Sequence, residues 1–242
     1  MLMKNIVEIK HFRMDFGDKT VIRDLSFEVK EGEIFGFLGS NGSGKTTTLR
    51  VLLGLYVPTS GELLIDGKPY NPEHSNITIG YLPEERGLYR KETVLDTLIY
   101  FGKLKGLNDP AGWATKYLKR VGLADKTKEK LEKLSGGQQQ KIQLGITIMN
   151  SPKLLILDEP TKGFDPINRR LLMDIINELH EKGTAVILIT HYMDEVEKLC
   201  NRAILLKDGT AHAYGTIPEI KKQFGGKSLD QIFVEVYGGE NE

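Results

Sequence analysis

The stretch Ile34-Phe35-Gly36-Phe37-Leu38-Gly39-Ser40-Asn41-Gly42-Ser43-Gly44-Lys45-Thr46 decides how the rest of the chain is read. Its first five residues form a continuous apolar run, the pattern of a strand buried on both faces of a sheet. A glycine-rich loop follows, then a helical stretch from Lys45 to about Leu55, closed by Pro58. Gly39 to Thr46 fits the pattern G-x-x-x-x-G-K-[ST] in the strand–loop–helix context that the pattern requires. Glycines let backbone N–H groups curl around phosphate oxygens with no Cβ in the way. The helix start adds a favourable dipole. Lys45 supplies a positive charge for β- and γ-phosphates, and Thr46 a hydroxyl for Mg²⁺. The alternative is a glycine-rich turn before an ordinary helix, and the context weighs against it.

Composition bounds what surrounds this loop. The chain has 242 residues, 40% of them apolar, so one compact unit with a sizeable core is expected. Lys plus Arg and Asp plus Glu are both 33, giving no net charge. Nucleic-acid binders usually show a basic stripe, so no nucleic-acid partner is expected. A single cysteine, Cys200, allows no internal disulfide and fits a reducing cytoplasm. No stretch approaches the ~18 apolar residues of a membrane span. Met1 to Lys10 lack an apolar signal core and alternate like a strand. The expectation is a protein neither secreted nor embedded in the bilayer.

Hydrophobic periodicity supplies the remaining elements. Leu25, Phe27 and Val29 alternate with Ser26, Glu28 and Lys30, as in a half-buried strand. Gly61 to Gly67 and Ile77 to Leu82 read as short strands. Thr93-Val94-Leu95-Asp96 has the form of a capping box, and Asp109-Pro110 offers an N-cap with proline at the first helical position. Lys91 to Leu131 is therefore read as helical, and Ser135 as the cap of a helix reaching about Asn150. Leu154 to Leu157 and Ala185 to Ile189 are apolar strand cores. A helix from about Asn168 to His180, ending near Gly183, lies between them. This β-α-β rhythm implies a mostly parallel sheet covered by helices. The tail after Gly225 gives no clear element.

Two further segments carry chemistry. Leu154 to Leu157 runs into Asp158-Glu159, and a bare carboxylate pair at a strand end is costly unless it meets a cation or water. Read alone, the pair is equally a solvated strand-to-loop junction. Beside a phosphate loop, Asp158 is placed to hold Mg²⁺, directly or through water, and Glu159 to orient or deprotonate the attacking water. Leu134-Ser135-Gly136-Gly137-Gln138 has the build of a second anion site, with a capping serine and two glycines before a helix. An ordinary capped helix start is the plain alternative. One chain has no use for a second triphosphate site of its own. The segment makes sense as a cover for ATP held by another subunit.

With these residues in place the chain resembles the nucleotide-binding domain of ABC transporters, from about Ile6 to Phe224. Leu134 to Gln138 matches the family signature without a change, and so does its distance before Leu154 to Glu159. The resemblance implies a phosphate-loop NTPase fold of class α/β. That fold has a mostly parallel sheet, an N-terminal antiparallel β subdomain and a helical signature subdomain. It implies a single domain, with 1–90 and 151–225 as core, 91–150 as helical subdomain and 226–242 as tail. It implies that two such subunits, identical or related, sandwich two ATP molecules with Mg²⁺. ATP then contacts Gly39, Ser40, Asn41, Gly42, Ser43, Gly44, Lys45, Thr46 and Thr47 of one subunit, and Ser135, Gly136, Gly137 and Gln138 of the other. Phe16 takes the position of the aromatic that stacks on adenine, where tyrosine is commoner; a phenyl ring still offers a π face. A core or merely exposed phenylalanine is the alternative there. Gly163-Phe164-Asp165 resembles the loop that meets its twin across the dimer, although Lys162 stands where a small polar residue is commoner. His191, after the strand Ala185 to Thr190, takes the place of a histidine on the γ-phosphate.

One departure stands out. Tyr81-Leu82-Pro83-Glu84 matches the loop linking the ATP site to the helical subdomain, but that loop usually carries glutamine where this chain has Glu84. The resemblance puts Glu84 near Mg²⁺ and the attacking water, its charge offset by metal or by Arg86. A solvent-facing Glu84 is the alternative. The wording Tyr-Leu-Pro-Glu-Glu-Arg-Gly-Leu-Tyr at 81–89 resembles exporter ATPases of the sodium-efflux and multidrug type. The expectation is an ATPase at the cytoplasmic face of the membrane, working through a separate permease subunit. A soluble ABC ATPase that remodels a ribosome, DNA or a protein assembly is the second reading. One phosphate loop, one signature and no heptad stretch weigh against it. A phosphate-loop kinase or GTPase would have no use for Leu134 to Gln138.

Overall fold

A computed structural model describes residues 4–71, 77–85, 87 and 91–238. The first part of the chain forms β1 (Asn5–Phe16), β2 (Lys19–Lys30), β3 (Ile34–Gly39), α1 (Lys45–Leu52), β4 (Ser60–Ile65) and β5 (Lys68–Pro69). There follow β6 (Ile79–Leu82), α2 (Val94–Leu104), α3 (Pro110–Arg120), α4 (Gly136–Ile148), β7 (Leu154–Asp158) and α5 (Pro166–Glu181). The last part forms β8 (Ala185–Ile189), α6 (Met193–Leu199), β9 (Arg202–Lys207), β10 (Thr210–Thr216), α7 (Ile217–Gln223) and α8 (Leu229–Tyr237). By packing, the chain divides into two units, Met1–Ile77 with His180–Glu242, and Thr78–Leu179.

In the first unit the strands lie in the order β5-β4-β1-β2-β10-β9-β3-β8. β1 pairs antiparallel with β2 and β4, whereas β3 runs parallel to both β8 and β9. The sheet thus changes from antiparallel at the N-terminal edge to parallel around β3, whose carboxyl end releases the glycine-rich loop. The core follows from the side-chain pattern. Leu25, Phe27 and Val29 of β2 are buried as the alternation predicts, and β3 is buried along its length up to Gly39. Phe27 stacks on Phe35 with ring centroids 5.6 Å apart. Gly36 lies under α6: a Cβ there would sit 3.1 Å from Ala203 Cβ and 3.2 Å from Val196 Cγ1, so its absence lets the helix close on the strand.

α1 stops at Leu52, short of the predicted Leu55. Gly54 takes a left-handed φ of 70°, and the Leu55 N–H turns back to Arg50 O at 2.7 Å, a glycine-terminated helix end. Beyond this end the apolar Leu55 and Val57 are 66% and 86% exposed. The tail also differs from expectation, because α8 occupies it. Ser228 and Gln231 form a reciprocal capping box there, and Tyr237 OH bonds Leu206 O at 3.0 Å.

In the second unit β6 and β7 run parallel in register, from Ile79 opposite Leu154 to Leu82 opposite Leu157. Thr93 and Asp109 cap α2 and α3 as read from sequence. α4 is almost wholly buried from Gln140 onward. Gly145 makes room for the Tyr117 ring, which a Cβ would meet at 2.4 Å, and Tyr117 OH donates to Lys141 O at 2.6 Å. Burial drives the Tyr117 phenol far above its usual range. β6 and β7 group with the helices through α4: Thr147 Oγ1 donates to Tyr81 O at 3.3 Å, and a Cβ at Gly80 would meet Thr147 O at 3.0 Å. α5 starts at Pro166, two residues before the predicted start, because the Asp165 carboxylate accepts the Asn168 N–H at 2.9 Å and proline suits the first helical position. Among the described residues no helix is long and apolar enough to cross a membrane.

Candidate nucleotide site

The loop from Gly39 to Lys45 is built to face an anion. Gly42 and Gly44 have φ of 82° and 107°, a region that L side chains enter only with strain. A Cβ on Gly39 would stand 2.7 Å from Leu206 O, and one on Gly44 would stand 2.3 Å from Ile22 Cδ1. α1 starts after Gly44, and among the described residues no side chain caps its first turn. Ser43 Oγ is buried with no hydrogen-bond partner among the described residues. Lys45 Nζ folds back over the loop onto Gly39 O (2.6 Å) and Ser40 O (2.8 Å). An uncapped helix start, an unsatisfied buried hydroxyl and a lysine at the same spot fit a phosphate chain. Asn41 and Thr46 are exposed on this loop and the first turn, and Thr47 is half-buried.

Two more predicted residues lie in the same unit. Phe16, the last residue of β1, is 43% exposed, so it is not a core residue. Its ring meets the Tyr56 ring edge-on at 5.5 Å. Tyr56 is in turn held by Arg50, whose Nη1 donates to the phenol oxygen at 2.9 Å. His191 leaves the end of β8 exposed, with its ring 4.8 Å from that of Tyr192. Thr190 Oγ1 accepts the Tyr192 N–H at 3.1 Å and lies 3.3 Å from the carboxylate of Glu195, which is 1% exposed.

The second unit holds the acid pair and the signature. β7 is buried from Leu154 to Leu157, and Asp158 is half-exposed at its end. Glu159 is 8% exposed and has a left-handed φ of 49°, a strained backbone for a non-glycine residue. Ser135 caps α4 in a reciprocal box: its Oγ accepts Gln138 N–H at 3.3 Å, and Gln138 Oε1 accepts Ser135 N–H at 2.9 Å. Ser135 to Gln138 line a cleft of about 390 Å³ together with Lys141 and Asp165. The Asn168 backbone N–H and side-chain amide hold the Asp165 carboxyl below its usual range. Burial lowers the Lys141 ammonium, which donates to Val121 O at 2.9 Å.

The family model described as ABC transporter matches residues 22–162. The chain belongs to the ABC transporter family. It is 44% identical over 220 residues to an uncharacterized ABC transporter ATP-binding protein of Methanocaldococcus jannaschii, covering 90% of this chain and 80% of that one. It is 36% identical over 244 residues to the Nod factor export ATP-binding protein I of Cupriavidus metallidurans, covering 99% and 79%. Among solved structures it matches an ATP-binding subunit of an ABC transporter with a TM-score of 0.87 at 31% identity, over 96% of this chain and 99% of that one. The α/β fold expected of the family is thus the fold observed.

Within this ABC ATP-binding chain, Glu84 contacts a residue that the sequence reading did not pair with it. Its carboxylate accepts Lys162 Nζ at 2.5 Å. The expected counter-charge, Arg86, lies outside the described residues, as do Leu88 and Tyr89 of the same motif. Tyr56, Arg50 and Glu195 were also missed by sequence reasoning. Tyr56 and Glu195 carry no motif of their own, and only their placement against Phe16 and Thr190 marks them. Among the described residues no group of three or more His, Cys, Asp or Glu side chains forms a ready metal cage. Mg²⁺ is ordinarily held by one or two carboxylates plus substrate phosphates, and Thr46 and Asp158 are of the donor type it needs.

Proposed function

We propose that this chain is the ATP-hydrolysing subunit of an ABC exporter, working as a dimer beneath a separate membrane permease at the cytoplasmic face. The observation that carries the reading is the uncapped start of α1 with the unsatisfied Ser43 hydroxyl and Lys45 beside it. The loop N–H groups of 39–47 bind the phosphate chain, and Lys45 exchanges its two carbonyl partners for β- and γ-phosphate oxygens. Phe16, braced by Tyr56, offers its face to adenine. Thr46 and Asp158 would hold Mg²⁺, with Glu84 near it, and the ion neutralises charge on the phosphates when bound. Glu159 orients the attacking water and takes its proton, the water oxygen bonds to the γ-phosphorus, and the bond to the ADP oxygen breaks, giving ADP and phosphate. His191 contacts the γ-phosphate. Ser135 to Gln138 and Asp165 close over the nucleotide of the opposite subunit. The export direction is supported by the 81–89 motif and by the relative named for export.

The test has two arms. Purified chain is assayed for Mg²⁺-dependent phosphate release from ATP, and tagged chain is isolated from solubilised membranes of its own cells. Hydrolysis together with co-isolation of a multi-span membrane protein is expected. Hydrolysis with only ribosomes or soluble partners recovered would overturn the transporter role, and no nucleotide binding at all would overturn the site.

A further inference from the structure

β6 and β7 are parallel neighbours, and their exits leave the same end of the pair, after Leu82 and Asp158. The first exit is tied to α4: Gln143 Nε2 donates to Glu85 O at 3.2 Å, and Thr147 Oγ1 to Tyr81 O at 3.3 Å. The second exit is closed on itself. Lys162 N–H donates to Glu159 O at 3.1 Å, and Phe164 N–H to Thr161 O at 2.9 Å. Phe164 in turn lies against α4, with its ring 3.4 Å from where a Gly137 Cβ would stand. The two exits bring Asp158, Glu159, Glu84 and Glu85 to one end of two adjacent strands. A nearby cation favours the ionised form of a carboxylate. Lys162 provides one, with Nζ 2.5 Å from Glu84 Oε1 across 78 residues of sequence.

We propose that Lys162 is a positioning residue for Glu84. It pins the Glu84 carboxylate to the turn that follows Glu159, and it is the cation that Glu84 must exchange for a metal ion in the loaded site. The pair is exposed on both sides, 57% and 44%, so its contribution is that of an exposed ion pair and is readily reversed. That suits a contact that yields rather than a permanent strut. The exchange with metal rests on the proposed placement of Glu84 near Mg²⁺; the pairing itself does not.

The test is amide hydrogen exchange of the 82–87 segment in the full nucleotide-free chain. Lys162→Met and Glu84→Gln should each speed exchange there about two- to fivefold, the range of an exposed pair. The double variant should add nothing further, and Lys162→Arg should restore the wild-type rate. Unchanged exchange in Lys162→Met, or additive effects in the double variant, overturns the pairing. The second readout is the Mg²⁺ concentration giving half-maximal ATPase. Lys162→Met should lower it severalfold in the wild-type background and leave it unmoved in the Glu84→Gln background. An equal shift in both backgrounds means that Lys162 acts on the site directly and overturns the positioning role. If exchange responds as expected and Glu84→Gln leaves the Mg²⁺ dependence untouched, the pair stands and the metal-proximal reading of Glu84 falls.

Discussion

The starts of α1 and α4 look alike in sequence, Ser43-Gly44-Lys45 against Ser135-Gly136-Gly137, and each exposes backbone N–H groups at a helix N-terminus. Their completion differs. At α4 the Ser135–Gln138 box satisfies the Gln138 N–H and the Ser135 N–H from within. Among the described residues α1 has no side-chain cap and its serine hydroxyl is buried without a partner, and its lysine sits on loop carbonyls. A helix start with a side-chain cap is partly completed before any ligand arrives. One that leaves donors open is finished by what it binds. The first site is therefore read as the primary phosphate cradle and the second as a cover added later, and each of the following experiments sets one against the other.

The largest effect is expected at Glu159. Glu159→Gln keeps the shape of the side chain and removes the base, so ATP hydrolysis should fall by ~10²–10⁴-fold while ATP still binds. Nucleotide then persists between the cradle of one subunit and the signature of the other. Size measurement with ATP and Mg²⁺ should show a dimer that disperses when nucleotide is removed. A variant that stays monomeric at high concentration would break the idea that α4 covers a partner's nucleotide in a homodimer.

Lys45→Ala comes next. It removes a charged donor from the cradle, and a hydrogen bond to a charged group contributes about 1.5–3 kcal/mol, so ATP affinity should fall by roughly 10- to 150-fold. Equilibrium binding of a fluorescent nucleotide measures it. Undiminished affinity would mean that α1 is not the primary site, and the comparison would have to be inverted.

One glycine from each motif should also part company with the other. Gly44 has a φ of 107° and faces Ile22, whereas Gly137 lies inside α4 and a Cβ there meets only ordinary contact with Phe164 at 3.4 Å. Gly44→Ala should cost about 1–2 kcal/mol of stability in denaturant melts, from left-handed strain alone. Gly137→Ala should be neutral or stabilising by up to about 0.5–1 kcal/mol, since alanine suits a helix better. If Gly137→Ala nevertheless lowers ATPase activity, its glycine serves the close approach of a ligand and not the fold.

The cradle was legible because its chemistry forces residue types into a fixed order: a buried strand, glycines where no Cβ fits, then Lys45 and Thr46. The signature and the acid pair were legible for the same reason. What escaped was set by position in space. α1 ends at Leu52 and not at about Leu55, because Gly54 turns the chain before Pro58, the stop visible in the sequence. α8 was missed although Ser228 and Gln231 spell a capping box, since an amphipathic helix of nine residues after two glycines gives little periodicity to count. Arg50 and Tyr56 under Phe16, and Lys162 on Glu84, are pairings between side chains whose contact no spacing announces.

The smallest effects come from the two serines, and they divide the helix starts most sharply. Ser135 Oγ accepts the Gln138 N–H, so Ser135→Ala removes a cap and should cost about 1 kcal/mol, some 2–4 °C in melting temperature for a chain of this size. Ser43 Oγ makes no such bond among the described residues, and deleting a buried unsatisfied hydroxyl forfeits nothing in the nucleotide-free chain. Ser43→Ala should melt at or above the wild-type temperature without nucleotide. With ATP present the order should reverse. A ligand stabilises by an amount that grows with the logarithm of its concentration over Kd, so weaker phosphate binding shrinks the ATP-induced rise in Ser43→Ala. Ser135→Ala should keep the full rise in the monomer, where α4 touches no nucleotide of its own. Thermal melts of both variants with and without ATP, at protein concentrations low enough to keep them monomeric, separate the cases. If Ser43→Ala loses stability without nucleotide and keeps the full ATP-induced rise, the hydroxyl belongs to the fold, and the cradle's claim to be completed by its ligand then rests on Lys45 and the uncapped N–H groups alone.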